Sequence, residues 1–182
     1  MLKTKIPNEE LLKQISEKIF CKPVELNREV RGTSTFVYRI LVENSTFYLR
    51  VLPEQDTSFA TEVKVHKTLS NLGVKVPKVI HFEDKNDLIG LSLMIVEEIA
   101  GKSLNDYSKN MDSRHFENVV YDAGKQLAFV NQIPVAGFGW IDKNNQVTLT
   151  GEHDSFNAYY DEHSEKDLSL LSNYLFNIIS FA

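Results

Sequence analysis

The first hundred residues consist largely of short β-forming runs separated by tight turns, and this pattern limits the possible folds more than any other feature. The runs Phe36–Val42 and Phe47–Leu52 are joined by a short polar turn that fits a hairpin. A short alternating run, Val24–Leu26, precedes them, so the simplest prediction is three consecutive antiparallel strands. Leu91–Glu97 is the most apolar run, and residues 81–83 are its predicted hairpin partner. An antiparallel sheet therefore forms the first half of the predicted fold.

Apolar residues at helical spacing predict helices on both sides of these strands and throughout the second half. Asn8 is the predicted N-cap of the first helix. Residues 134–140 are predicted to be a loop, and Pro77 fixes residues 74–80 as an extended segment. The predicted class is α+β, with a strand-rich domain over residues 1–100 and a helical domain over 101–182. The predicted helices are residues 8–20, 58–72, 103–107, 112–131, 155–160 and 167–179.

Composition excludes several classes of protein. The 182 residues carry 20 basic and 25 acidic side chains, a net charge of −5, which argues against a nucleic-acid partner. The longest apolar run, residues 88–96, is interrupted by Gly90 and Ser92 and is shorter than the ~20 residues that cross a bilayer, so no membrane partner is predicted. Cys21 is the only cysteine, which excludes a disulfide scaffold. With no export signal, the sequence predicts a cytoplasmic protein.

The last predicted helix is apolar on almost every side. A helix of this kind is buried inside a protein. Three arrangements would bury it: deep packing in a small domain, a covering partner, or further chain beyond residue 182. Self-association through residues 168–181 is therefore one expectation.

Two features of the strand-rich half point to chemistry, each with a plainer alternative. Arg50 is a charge in the middle of an apolar strand, so it must face solvent or meet an anion, and Glu62 in the next helix is the candidate anion. The alternative is a solvent-facing arginine and a surface glutamate. Residues 31–39 hold a Gly/Ser/Thr turn whose backbone N–H groups can bind phosphate oxygens, or which simply closes a hairpin.

Two further patterns carry no site. Gly101-Lys102-Ser103 resembles the end of a P-loop, but Val96 stands where that motif needs glycine. His153 and His163 lack the spacing of a metal site, so no metal ligand is predicted.

Taken in order, five segments resemble the aminoglycoside phosphotransferase family, small-molecule kinases with a protein-kinase-like fold. The resemblance runs from about residue 6 to the end of the chain. Thr35 departs from the family's frequent Asn, and Asn131 from its common His. The five segments are GTSTFVYRI at 32–40, YLRV at 48–51, EVKVHKTL at 62–69 with GVKVPKV at 73–79, MIVEEIAGKSL at 94–104, and GKQLA at 124–128 with IPVAGFGW at 133–140.

The resemblance implies a kinase-like N-lobe, an antiparallel sheet plus a helix, followed by the start of a helical C-lobe. It implies that ATP or GTP with Mg²⁺ binds between the lobes, with Arg50, held by Glu62, on the phosphates. The residues 32–35 would cover the phosphates, and Val96 and the backbone of Glu97 and Ile99 would contact the adenine. The implied nucleotide-binding residues are Gly32, Thr33, Ser34, Thr35, Arg50, Glu62, Val96, Glu97 and Ile99.

The resemblance also implies an activity, the transfer of a phosphoryl group to a hydroxyl of a small molecule. An aminoglycoside or macrolide substrate, and hence antibiotic resistance, is the expectation. The family's catalytic loop, HxDxxxxN, does not occur in the 182 residues, and by family order it would lie beyond Ala182. We therefore expect a full-length relative to be active and this chain alone to be inactive or nearly so, with no catalytic residue assigned.

Two alternatives remain at this point. The first is a non-catalytic nucleotide-binding or protein-interaction module derived from a kinase. The second is a kinase of the same superfamily that acts on choline or a sugar amine.

Overall fold

A five-stranded antiparallel sheet organises the first half of the chain, with strand order β1-β2-β3-β5-β4. The computed structural model describes residues 6–30, 34–101, 103–142, 148–164 and 168. The predicted hairpins β2–β3 and β4–β5 are confirmed, and β5 pairs with both β3 and β4. The strands are β1 (Glu25–Glu29), β2 (Phe36–Val42), β3 (Ser45–Val51), β4 (Val79–Glu83) and β5 (Leu93–Glu97).

The two faces of this sheet carry different helices. Side chains alternate along β5, so Leu93 and Ile95 lie in one buried cluster and Met94 and Val96 in the other. All four are buried, which shows that both faces of this strand are covered.

The first helix, α1 (Glu9–Phe20), packs on the face of Leu93 and Ile95 through Leu12 and Ile15. The predicted cap is present, since Asn8 Oδ1 accepts a hydrogen bond from the Glu10 amide at 2.8 Å.

The second helix, α2 (Ala60–Asn71), covers the opposite face of the sheet. Phe59, at its N-cap position, and Val63 pack against Met94 and Val96. The α+β class and the kinase-like arrangement of sheet and helix are thus confirmed.

The second half begins with short helical segments and one long helix. They are α3 (Leu104–Tyr107), a 3₁₀ turn (Ser108–Asn110) and α4 (Ser113–Val130). Asp112 caps α4, since its Oδ1 accepts from the His115 amide at 2.9 Å. No residue of α4 is buried in the described part of the chain.

The predicted loop at 134–140 is partly wrong. Phe138–Ile141 is a strand, β6, paired with Gly151–His153, β7. The sequence hides this pair because glycines are unusual in strands. Here they permit close approach, since a Cβ on Gly137 would lie 2.5 Å from the His153 carbonyl oxygen and one on Gly151 2.5 Å from Phe138 backbone atoms. Residues 156–164 are helical, and most of the predicted helix 167–179 lies outside the described residues.

The chain forms two compact units, Met1–Ile133 and Pro134–Ala182. The boundary between these units follows Ile133, whereas the sequence predicts one after residue 100. The two predicted lobes therefore remain a prediction. Within the described ranges, no helix has the length and apolar character needed to span a bilayer.

Candidate nucleotide-binding site

The charged centre of the candidate site is Arg50, in the middle of β3. Its partners across the ladders are Val37 on β2 and Met94 on β5, so these three side chains share one face of the sheet. This is the face that α2 covers. The Arg50 side chain retains 26% of its exposure, so the guanidinium is half-buried and needs polar partners.

Helix α2 supplies Arg50 with a carboxylate and an aromatic ring. Arg50 Nη1 donates a hydrogen bond to Glu62 Oε1. The guanidinium carbon lies 5.1 Å from the centre of the Phe59 ring, within the range of a cation–π interaction. Phe59 and Glu62 are three residues apart and therefore neighbours on the helix surface. A guanidinium has five N–H donors, so the bond to Glu62 leaves donors that can bind an anion.

His66, one turn further along α2, borders the same carboxylate. Its Nδ1 lies 3.0 Å from the Pro77 carbonyl oxygen, and because a carbonyl only accepts, Nδ1 is the donor. Its Nε2 lies 3.6 Å from Glu62 Oε1. Glu62 is thus placed between Arg50 and His66, and His66 connects α2 to the segment that leads into β4.

The part of this face nearest β2 and β3 remains accessible. Arg39 and Tyr48 are opposite each other in the β2–β3 ladder, and both are half-buried, as is Val37. The Tyr48 hydroxyl donates to Glu98 Oε1 at 3.2 Å, and burial together with this hydrogen bond raises the Tyr48 pKa. This surface combines apolar side chains with cations, which suits a flat ring carrying phosphates.

The strand end that was predicted to contact adenine is only partly available. Val96 is 6% exposed, and the Glu97 amide donates to the Lys78 carbonyl at 2.9 Å. That amide is therefore already in use. The Ile99 amide has no partner among the described residues, and the Ile99 side chain is exposed. Of the predicted adenine contacts, the Ile99 amide is the donor that remains for a ligand.

The predicted phosphate turn is only partly described. Gly32 and Thr33 lie outside the described residues, while Ser34 is exposed and Thr35 is half-buried. The role of this turn stays a prediction.

Metal-ligating residue types form no clustered set in the part of the chain that the structure covers. No group of three or more His, Cys, Asp or Glu side chains there is arranged to hold a metal ion. His153 lies 3.3 Å from Glu162, and His163 Nδ1 donates to the Tyr159 carbonyl oxygen at 2.9 Å.

Sequence reasoning singled out Arg50 and Glu62 but did not identify Phe59 and His66 as their neighbours. Both lie within the predicted helix 58–72, where no local pattern sets them apart from their neighbours. The available signal was spacing, since Phe59, Glu62 and His66 recur at intervals of three and four and so share one side of the helix.

The architecture and this site together define a class of fold. Protein kinases pair a lysine on the third strand with a glutamate on the neighbouring helix, and here Arg50 and Glu62 have the corresponding relation. The solved structure of aminoglycoside phosphotransferase APH(4)-Ia is similar, with a TM-score of 0.64 and 12% identity, covering 85% of this chain and 50% of that one. The fold is therefore kinase-like.

The family follows from a family model, described as the phosphotransferase enzyme family (APH), that matches residues 28–172. The chain belongs to this phosphotransferase family.

Other solved structures repeat the likeness of fold. A thermostable mutant of APH(4)-Ia in a ternary complex with ADP and hygromycin B has a TM-score of 0.61 and 15% identity, covering 81% of this chain and 48% of that one. Another thermostable mutant of APH(4)-Ia, in a ternary complex with AMP-PNP and hygromycin B, has a TM-score of 0.59 and 13% identity, covering 80% of this chain and 46% of that one. The chain thus spans about half the length of these solved relatives. Curated proteins give no significant match.

Proposed function

We propose that this chain forms the nucleotide-binding part of an ATP-dependent phosphotransferase that acts on a hydroxyl of a small molecule. The contact between Arg50 and Glu62 is the observation that carries the proposal, because it orients a half-buried cation on an accessible face of the sheet. Family membership supports the reaction type. An aminoglycoside or macrolide is the proposed substrate class, since two structures of similar fold contain hygromycin B with a nucleotide.

In this proposal each residue has a limited role. Arg50 binds phosphate oxygens of ATP or GTP, and Glu62 and Phe59 hold the guanidinium in place. The Ile99 amide donates to the adenine edge, and Tyr48 lies beneath the ring. Magnesium would accompany the triphosphate as its counter-ion.

The test is nucleotide binding by titration calorimetry. Wild-type chain should bind ATP, and R50A should bind it about tenfold to a hundredfold more weakly, because a hydrogen bond to a charged group is worth ~1.5–3 kcal/mol. Arg28 provides the matched control. It is also a strand arginine beside a phenylalanine ring, 5.7 Å from the centre of Phe36, but it lies opposite Tyr38 and so on the α1 face.

R28A should therefore retain wild-type affinity. Equal losses in R28A and R50A, or no ATP binding by the wild-type chain, would contradict the proposed site. E62Q should give a smaller loss than R50A, since the guanidinium remains but its orientation is less restricted.

A non-catalytic nucleotide-binding module is the second candidate. It uses the same contact between Arg50 and Glu62, which serves binding and is not a catalytic base. Both candidates predict ATP binding. They differ in a radiolabelled-ATP transfer assay with aminoglycosides and macrolides, in which we expect no robust turnover from this chain alone and transfer only from a longer relative.

A further inference from the structure

Ser92 is a polar residue that directly precedes β5, within the most apolar run of the sequence. It is 1% exposed, and Leu91, Leu93 and Met94 beside it are buried as well. A buried hydroxyl needs hydrogen-bond partners, and Ser92 has two. Its Oγ accepts from the Phe59 amide at 3.1 Å and donates to the Glu83 carbonyl oxygen at 3.0 Å. The side chain therefore joins β4, β5 and the start of α2.

This bond pairs one of the free backbone N–H groups at the start of α2. The first N–H groups of a helix have no partner within the helix, and the side chain at the N-cap position usually supplies one. At the N-cap of α2 stands Phe59, which makes no side-chain cap. Two serine hydroxyls act instead. Ser92 Oγ accepts from the Phe59 amide, and Ser58 Oγ accepts from the Ala60 amide at 3.0 Å.

The position of Phe59 decides the surroundings of Arg50. The Phe59 ring lies beside the guanidinium, and Glu62 follows on the same side of the helix one turn later. Both partners of Arg50 therefore depend on where α2 begins. Of the two serines at this helix start, Ser92 is the buried one, whereas the hydrogen bond of Ser58 to Asp84 is exposed.

We propose that Ser92 is a positioning residue that fixes the start of α2 against β5, and thereby holds Phe59 and Glu62 where they orient Arg50. The importance of this orientation for nucleotide binding rests on the proposed function. The hydroxyl itself touches no ligand in this proposal, so its effect is transmitted through the backbone of Phe59.

The experiment compares S92A with S16A by NMR. Ser16 is also fully buried and its hydroxyl also donates to a backbone carbonyl, that of Leu12 at 2.8 Å, but it lies on α1 on the other face of the sheet. The two variants thus lose the same chemical group from equally buried sites. The readout is the Nε–H resonance of Arg50, which senses both the Glu62 bond and the Phe59 ring. It is assigned by its disappearance from the spectrum of R50K.

In S92A this resonance should shift or broaden, and in S16A it should stay at its wild-type position. An unchanged resonance in S92A, or an equal change in both variants, would overturn the proposal. Should S92A fail to fold, S92C provides the comparison, because a thiol has nearly the same shape but hydrogen-bonds weakly.

Calorimetry with ATP separates this proposal from the proposed function. In S92A the dissociation constant should rise roughly fivefold to tenfold, the scale of one lost hydrogen bond, with no rise in S16A. A wild-type ATP affinity in S92A would contradict the proposal even if R50A had lost binding. If the wild-type chain binds no ATP, the proposed function fails, and the Arg50 resonance alone decides the role of Ser92.

Discussion

Tyr38 places a hydroxyl group in the core without a hydrogen-bond partner among the described residues. The residue is fully buried in the cluster beneath α1. Burial raises its pKa, an effect that Glu9 increases and Arg28 opposes. An unpaired buried polar group destabilises a fold, so this hydroxyl makes no net contribution to folding stability.

Removing the hydroxyl should therefore not weaken the protein. We expect Y38F to leave the free energy of unfolding unchanged or to raise it by up to about 1 kcal/mol, because the ring still fills its site. Urea unfolding of wild type and Y38F measures the difference. A loss of more than ~1 kcal/mol would show that the hydroxyl has a partner in the folded protein.

A single site residue could be predicted from the sequence only where its polarity differed from that of the residues around it. Arg50 could be recognised because a charge in an apolar strand demands a partner, and Glu62 was the nearest acid on the next helix. Ser92 broke the strand pattern in the same way, but its partners are backbone groups, which any sequence contains. Phe59 could not be separated from ordinary core residues, since only the geometry shows that its ring also faces a cation.

At the scale of single elements, α4 carries a cap that titrates. The His115 amide and imidazole both bond to the Asp112 carboxylate. The backbone bond from His115, followed by the side-chain bond from the same residue, lowers the Asp112 pKa. The folded state thus favours the ionised carboxylate. Its contribution to stability is present above the unfolded value near 3.9 and is lost as the pH falls through the lowered pKa.

Lowering the pH should therefore affect the first turn of α4 through one residue, Asp112. In wild type the amide resonance of His115 should show an acidic step with a midpoint below ~3.9, and in D112N, which keeps the acceptor oxygen but not the charge, this acidic step should be absent. NMR from neutral to acidic pH measures both. Asp122 is the control, since its pKa is also lowered, first by the hydrogen bond from Lys125, but it lies in mid-helix. A wild-type midpoint at or above the ordinary value would contradict this account.

The long helices followed from periodicity, whereas the short strand pair β6–β7 did not. α1 and α4 begin and end within one residue of their predicted bounds, because polar caps and apolar spacing agree there. β6 was missed since only four residues form it, one of them glycine, and its pairing with β7 depends on close backbone approach rather than on side-chain alternation.

At the scale of the whole molecule, both buried clusters draw their members from a single stretch of chain. Every buried member lies between Leu12 and Val96. The first compact unit nevertheless extends to Ile133. One hydrogen bond that joins α4 to the rest of this unit runs from the Lys75 amide to Gln126 Oε1, at 2.8 Å. The predicted lobe and the observed unit therefore differ in the segment that should fold independently, residues 1–100 in the first case and residues 1–133 in the second.

Two fragments distinguish them. We expect residues 1–101 to unfold in one cooperative transition, because this fragment contains all buried members of both clusters. Residues 1–133 should have a similar midpoint, since α4 buries no residue of its own in the described structure. Urea unfolding followed by circular dichroism measures both midpoints. A fragment 1–101 without a cooperative transition would support the longer unit instead.

The exposed edge strand β1 affects whether copies of the protein pair with one another at high concentration. It lies at the end of the sheet, and its residues other than Leu26 are exposed. If two copies paired β1 to β1 in antiparallel fashion about Asn27, Glu25 of each copy would face Glu29 of the other. Like charges directly opposite destabilise such a pair. This margin of the molecule thus resists fibril-like stacking through its own charges, and mutating its glutamates to threonine would remove that protection.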